Sequence, residues 1–179
     1  MKILKVIILF FLCTTKVTSQ SILPSIKNII ISDVNNDKIN DTVIQNKDSN
    51  IFIFKYNNNN KCLIREVNFF KNYGNNITEM ELVVKNNILI FTMSYAPKFL
   101  DKDTLKFKYD NLKDDWVLIS VLIHRFSPIY PDLVTSDCLL TMKNKITITN
   151  SIYDDIEENL TTKSKAYILT KKCKYKTGE

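Results

Sequence analysis

The chain has very little glycine and histidine, two residue types that many catalytic sites require. Its 179 residues include two glycines, Gly74 and Gly178, and a single histidine, His124. Phosphate-binding loops, dinucleotide fingerprints and nucleophile elbows need glycines at close spacing, and zinc sites built on paired histidines need a second histidine. The composition therefore excludes these classes of site, and we predict a protein that is not an enzyme and has no catalytic residue.

The N-terminal segment has the layout of a secretory signal peptide. Lys2 and Lys5 precede an apolar run, Val6–Cys13, and small residues near Ser19 fit signal-peptidase cleavage before Gln20. We therefore predict a signal peptide over residues 1–19 and a single β-rich domain over residues 20–179, exported to the periplasm or secreted. The chain after cleavage has no apolar run of the ~20 residues that a transmembrane helix needs.

A lipoprotein is the alternative interpretation of this segment, with Cys13 as the lipidated residue. It is less favoured because Leu12 stands where a small residue is expected.

Arginine is scarce as well, since Arg65 and Arg125 stand against 23 lysines. The formal net charge is +6, and removal of Lys2, Lys5 and Lys16 with the signal peptide leaves +3. Bidentate recognition of phosphates and bases depends mainly on arginine. We therefore predict no nucleic-acid partner.

β-branched and aromatic residues form short runs along most of the chain, which is typical of strands. The segment Leu105–Tyr109 alternates most clearly, with its lysines on one face and its apolar residues on the other. The runs that we interpret as strands are Ile29–Ile31, Thr42–Ile44, Ile51–Tyr56, Leu82–Val84, Ile88–Met93, Leu105–Tyr109, Trp116–Leu122 and Ile146–Thr149. The run Cys62–Arg65 also alternates. These runs predict a mainly β, meander-like antiparallel domain, either a sandwich or a partial propeller or barrel, with at most one or two short helices.

Asparagine and aspartate fill the segments between these runs. With so few glycines, asparagine must supply most left-handed turn positions, and Asn86-Asn87 between two apolar runs predicts a tight hairpin. The best helix candidate is Ser151–Leu160, because Ser151 can cap it and acidic residues occupy its first turn.

Three cysteines remain after signal cleavage, so at most one intramolecular disulfide can form. We favour Cys138 with Cys173, which would fix the segment Tyr167–Leu169 to the body of the domain and leave Cys62 as a buried free thiol. Pairing of Cys62 with either of the other two remains an alternative.

The most specific local pattern is Asp33–Asp41, in which oxygen-bearing side chains alternate along a short loop. Asp33, Asn35, Asp37 and Asp41 would supply side-chain oxygens and Ile39 its backbone carbonyl. A calcium ion requires several oxygens that converge from alternate residues of a curling loop. The pattern predicts a possible Ca²⁺ site. The alternative is a turn closed by bonds from these side chains to the backbone.

This loop resembles the calcium-binding hairpin of FG-GAP and VCBS repeats, Asp-x-Asp/Asn-x-Asp-Gly-x-x-Asp between two strands. The departure is Lys38, where those repeats have glycine for a sharp turn. The order of segments from this loop through Ile51–Phe54, Glu81–Tyr95, Leu105–Ile119 and Thr135–Thr141 also resembles an uncharacterised group of exported bacterial proteins and lipoproteins. That resemblance implies an envelope-located β domain of unknown activity.

These observations favour a protein-binding module of the periplasm or exterior, such as an immunity or inhibitor protein, with an unidentified protein partner. An exported hydrolase that uses carboxylates alone is an alternative, with candidates in Asp114-Asp115, Asp154-Asp155 and Glu157-Glu158. A structural envelope protein is the third possibility.

Overall fold

The computed structural model describes residues 26–46, 51–58, 61–70, 77–95, 100–128, 133–151, 153 and 164–177. The predicted signal peptide lies outside the described residues. So does most of the predicted helix Ser151–Leu160, of which only Ser151 and Tyr153 are described.

In the described part of the chain, ten strands form two antiparallel sheets, and within each sheet strands that follow one another in the chain pair with one another. The four-stranded sheet has the order β1 (Ile26–Ser32), β2 (Asp41–Asn46), β3 (Phe52–Asn58) and β4 (Lys61–Val67). The six-stranded sheet has the order β10 (Ile168–Thr177), β9 (Leu133–Met142), β8 (Asp115–Pro128), β7 (Lys102–Asp110), β6 (Ile88–Tyr95) and β5 (Ile77–Lys85). The predicted mainly β, meander-like architecture is confirmed.

The two sheets face each other across an aromatic core. Phe52 of β3 contacts Phe91 of β6 edge to face, with ring centroids 5.1 Å apart, and Phe54 lies 4.6 Å from Trp116 of β8. All four side chains are fully buried. Edge-to-face aromatic pairs are favourable beyond the apolar area that they bury, so these contacts join the sheets into a sandwich.

Strand alternation explains which residues reach this core. Along β7, Leu105 and Phe107 are fully buried while Lys106 and Lys108 are exposed, as the sequence predicts. The pairing of β7 with β8 shifts register after Lys106, so that alternation in β8 changes phase near Ile119.

The prediction of a strand at Ile146–Thr149 is wrong, although its residues do alternate between buried and partly exposed. The segment forms one isolated bridge to Val117, with hydrogen bonds from Leu118 N–H to the Ile146 carbonyl and from Ile148 N–H to the Trp116 carbonyl, both 2.9 Å long. The chain enters a turn at Ile148, so the pairing with β8 ends there.

Asparagine does supply most of the left-handed backbone positions. Among the described residues, six that are not glycine have positive φ, and four of them are Asn36, Asn86, Asn87 and Asn144. Asn86 and Asn87, with φ of 52° and 59°, form the two-residue turn between β5 and β6. Two consecutive left-handed residues suit the twist of such a hairpin.

Cys138 and Cys173 lie opposite each other on β9 and β10 and are joined by a disulfide with an S–S distance of 2.07 Å. The expectation of a buried Cys62 is wrong, because its side chain is exposed. In β4 the residues that turn towards the other sheet are Leu63, Arg65 and Val67, which places Cys62 on the outward side.

A single helical turn, α1 (Ser164–Tyr167), leads into β10. Within the described segments, no helix has the length and apolar character needed to cross a membrane.

Candidate metal centre

The loop between β1 and β2 is held against the six-stranded sheet by two hydrogen bonds. The indole N–H of Trp116 donates to the carbonyl of Val34 at 2.7 Å, and the side-chain amide of Asn87 donates to the carbonyl of Asp33 at 3.3 Å. Val34 is itself fully buried in the core. The loop is therefore fixed by tertiary contacts as well as by its own hydrogen bonds.

The carboxylate of Asp33 organises the tip of the loop. Its Oδ1 accepts the backbone N–H groups of Asn36 at 2.6 Å and Asp37 at 3.2 Å, and its Oδ2 accepts that of Lys38 at 2.9 Å. Asp37 repeats this arrangement on a smaller scale, since its Oδ1 accepts the N–H of Ile39 at 2.7 Å. Bonds from aspartate to nearby backbone N–H groups are the usual means of closing such turns.

Asp41 closes the base of the loop and ties it to the next strand. Its Oδ2 accepts the N–H of Val34 at 2.9 Å and its Oδ1 accepts the N–H of Asn57 at 3.2 Å. The residue is only 2% exposed. Burial raises the pKa of the Asp41 carboxyl above its ordinary value, against the opposing effect of these two N–H groups, and the negative charges of Asp37 and Asp33 raise it further.

The three carboxylates converge. One oxygen each from Asp33, Asp37 and Asp41 lies within 4.8 Å of the other two. Calcium binds oxygens at about 2.3–2.6 Å, so ligands on opposite sides of one ion stand up to about 5 Å apart. The observed spacing therefore fits three ligands of one cation.

The other two predicted ligands also lie in this loop. Asn35 is buried; its Oδ1 accepts the N–H of Asp37 at 3.3 Å, and its Nδ2 donates to the carbonyl of Asn57 and to Asp37 Oδ2. Ile39 has an exposed side chain and a backbone N–H bonded to Asp37. Coordination by the Asn35 amide and the Ile39 carbonyl stays a prediction.

Lys38 takes the backbone conformation for which glycine is normally used, with φ of 70°, and Asn36 has φ of 66°. A left-handed conformation costs a residue such as lysine roughly 1–2 kcal/mol. The hydrogen bond from Lys38 N–H to Asp33 offsets part of this cost. The turn that the resemblance attributes to glycine thus forms here without it.

The acidic pair Asp114-Asp115 is engaged in structural contacts. Asp114, in the turn after β7, accepts bonds from Arg65, Asn58 and the hydroxyl of Tyr109. Burial and the bond to Asp114 raise the pKa of Tyr109 above its ordinary value. Asp115 is 3% exposed; it accepts the hydroxyl of Thr149 and the N–H of Trp116 and lies 3.8 Å from Arg65.

The other predicted acidic pairs, Asp154-Asp155 and Glu157-Glu158, lie outside the described residues.

A second polar centre, which we did not predict from the sequence, surrounds Asp103. This carboxylate is 1% exposed and pairs in bidentate fashion with Arg125, at 2.6 and 3.1 Å. The hydroxyls of Tyr95 and Tyr153 donate to the same carboxylate at 2.8 and 2.9 Å. Asp103 shares the alternating face of Leu105 and Phe107, so its inward position could have been predicted from periodicity.

Desolvation lowers the pKa of Arg125, but the bond and charge of Asp103 outweigh it, and the net shift is upward. Arg125 is therefore charged at neutral pH. Only the Asp103 end of this pair is buried, because the Arg125 side chain is 35% exposed.

The only histidine lies on the opposite, solvent-facing side of the six-stranded sheet. His124 Nδ1 is 2.6 Å from Asp137 Oδ1, and both side chains are about one third or more exposed.

No protein-family model, no curated protein and no solved structure matches the chain. Function must therefore be inferred from the residues of this chain.

Proposed function

We propose that the protein is a non-enzymatic protein-binding module, and that its contact surface is the solvent-facing side of β7, β8, β9 and β10, here called the outer face. The observation that carries the proposal is the pair Leu122 and Leu139, which lie opposite each other on β8 and β9 and are 37% and 43% exposed. An exposed apolar centre surrounded by polar residues is typical of protein interfaces.

Lysines flank this centre on both sides. Cross-strand register places Lys102 beside His124 on β7 and β8, and Lys174 beside Asp137 on β9 and β10. Lys172 on β10 lies directly beside Leu139, and Lys106 on β7 lies beside Ser120 in the next cross-strand row. All four lysines are exposed. Such a surface complements carboxylates, so the partner that fits it is a protein with an acidic contact surface.

Among the described residues, the carboxylates that could support a hydrolase are Asp114 and Asp115, and both have structural contacts. Asp114 and Asp115 hold the turn after β7 and the start of β8 in place, through Arg65 and Thr149. The partners of these acids are side chains and backbone groups of the chain itself. This arrangement favours a binding protein such as an immunity or inhibitor protein over the alternative of a hydrolase.

Site-specific photocrosslinking in the producing cell tests the proposal. A photoreactive residue at Leu139 should form an adduct with one protein whose cross-linked surface is acidic. The matched control is Ile64, which is 72% exposed on the four-stranded sheet. No protein adduct at Leu139, or equal adducts at Leu139 and Ile64, would contradict a binding role for the outer face.

We also propose that Asp33, Asp37 and Asp41 hold a calcium ion, with Asn35 and the Ile39 carbonyl completing the oxygen set. The spacing of the three carboxylates and the left-handed turn at Lys38 support this proposal. A bound cation would neutralise carboxylates that otherwise repel one another at this distance. Its role would be to stabilise the loop.

Thermal denaturation tests the calcium proposal. Binding to the folded state must raise Tm by mass action. The free energy of unfolding should increase by about 2.7 kcal/mol when calcium is at about 100 times its Kd. Asp37→Asn should remove most of the rise, whereas Asp110→Asn, at the last residue of β7, should not. An unchanged Tm at millimolar calcium would overturn it.

Export to the periplasm or exterior is part of the proposal. The signal-peptide pattern of residues 1–19 and the disulfide between Cys138 and Cys173 support it, because structural disulfides persist in oxidising compartments. Mass determination of the secreted chain should give a protein that begins at Gln20; a chain retained with residues 1–19 would contradict this.

A further inference from the structure

A polar groove lies at the end of the sandwich where the Asp33–Asp41 loop meets the turn after β7. It comprises two adjoining cavities of about 570 and 580 Å³, which share Asn35, Asn36, Tyr109 and Asn111 as lining residues. Each is within the range of about 300–1,000 Å³ that small-molecule sites occupy. The groove is therefore large enough for a ligand of several rings.

Asparagine dominates the lining of the groove, with eight of them around the two cavities. Each side-chain amide offers both donors and an acceptor. Among the described residues, the side-chain amides of Asn36, Asn111 and Asn144 form no hydrogen bond with the protein, and all three residues are exposed. Their hydrogen-bonding groups are thus available to a ligand.

Three of the other amides are held in position. Asn35 donates to the carbonyl of Asn57, and Asn58 donates to Asp114 at 2.6 Å. Asn87 donates to the carbonyl of Asp33 at 3.3 Å. Fixed amides around available ones reduce the ordering cost of binding a polar ligand.

The charged residues that line the groove restrict the chemical class of ligand that it can bind. The lining includes Asp37, Asp110 and Asp114 against one lysine, Lys108. Such a lining disfavours phosphates and other anions. An apolar ligand would leave the available amides without partners at a cost of about 1–3 kcal/mol for each group that becomes buried.

A neutral ligand with many hydroxyl groups satisfies these conditions. We propose that the groove binds a short oligosaccharide of neutral hexopyranose units, with Asn36 and Asn111 as hydrogen-bonding residues and Tyr109 as an aromatic contact. This site is distinct from the outer face, so the proposal does not depend on the protein-binding function.

Titration of the calcium-loaded mature protein with chitotetraose, cellotetraose and maltotetraose, followed by amide NMR shifts, tests the proposal. We expect at least one to bind with Kd of about 1 mM or tighter and to shift signals from the groove. Asn36→Ala and Asn111→Ala should each weaken that binding about tenfold, which corresponds to about 1.4 kcal/mol.

Asn150→Ala is the matched control, since Asn150 is exposed and does not line the groove. Its affinity should equal that of the wild type. The proposal is overturned if none of the three saccharides shifts groove signals at about 10 mM, or if the two groove variants bind as tightly as the control. Because Asn36 and Asn111 are surface residues, unchanged far-UV spectra will establish that both variants fold.

Discussion

The Asp33–Asp41 loop and the outer face use charged residues in opposite ways. In the loop, the carboxylates of Asp33 and Asp41 accept backbone N–H groups, and Asp41 is buried. On the outer face, Lys102 and Lys174 stand exposed beside an exposed leucine pair. Charge therefore stabilises this fold where it is bonded within the chain, and it is exposed to solvent where it is not.

The edge of the outer face depends on a covalent bond. The double substitution Cys138→Ser and Cys173→Ser releases a loop with a sequence separation of 35 residues. It should lower the free energy of unfolding by about 3–4 kcal/mol in the chain-entropy account, as measured by urea denaturation. Cys62→Ser, at an exposed free thiol, should leave it unchanged. A loss below about 1 kcal/mol would show that β10 is held by its ladder alone.

The loop depends on buried hydrogen bonds instead. Without calcium, Asp41→Ala should cost about 2–3 kcal/mol, because the N–H groups of Val34 and Asn57 lose their acceptor. Asn40→Ala, at the exposed neighbouring residue, should change stability by no more than about 0.5 kcal/mol. Equal losses of stability for the two substitutions in urea denaturation would contradict the dependence of the loop on the hydrogen bonds of Asp41.

Two tyrosines, Tyr109 and Tyr56, test how much a hydrogen bond to a tyrosine hydroxyl contributes to stability. The hydroxyl of Tyr109 bonds to Asp114, whereas the buried hydroxyl of Tyr56 has no partner among the described residues. Tyr109→Phe should therefore cost about 1 kcal/mol, while Tyr56→Phe should be neutral or slightly stabilising. The same loss in both variants would contradict this assignment.

The same residues predict a loss of stability in alkali. Burial raises the pKa of Tyr56, partly opposed by Arg65, and burial together with the Asp114 bond raises that of Tyr109. Both groups thus bind their protons more tightly when folded. This contribution is fully present below the ordinary value of 10 and is lost as pH rises through the raised values.

Tyrosinate absorbance is the measurement for this prediction. In denaturant all eight tyrosines should ionise together near pH 10, whereas in the folded protein Tyr56 and Tyr109 should remain unionised at that pH. Titration of all eight near pH 10 in the folded state would contradict the assigned burial.

Local patterning predicted the strands and the hairpin turns because both depend on near neighbours in sequence. Leu105 and Phe107 are buried, as the alternation of their segment predicts. Asn86-Asn87 forms a turn, as asparagines between two apolar runs predict. The spacing of Asp33, Asp37 and Asp41 likewise predicted their convergence. The loop could be recognised because all of these residues lie within one turn.

Features that depend on residues distant in sequence could not be predicted in the same way. The segment Ile146–Thr149 alternates like a strand, but only the position of β8 decides how far it pairs. The partners of Asp103 are Tyr95 of β6, Arg125 of β8 and Tyr153, which is 50 residues away. The outer face also needed the cross-strand register, since Leu122 and Leu139 are 17 residues apart in sequence and become neighbours only when β8 pairs with β9.

Charge reversal on the outer face is the most direct test of the proposed function. In a variant with Lys102, Lys106, Lys172 and Lys174 all changed to Glu, we expect the free energy of unfolding to fall by no more than about 1 kcal/mol, because the lysines are exposed. The quantity to measure is the yield of the protein adduct formed through Leu139. The account predicts that this adduct disappears in the folded variant; an undiminished adduct would contradict binding of an acidic partner through the outer face.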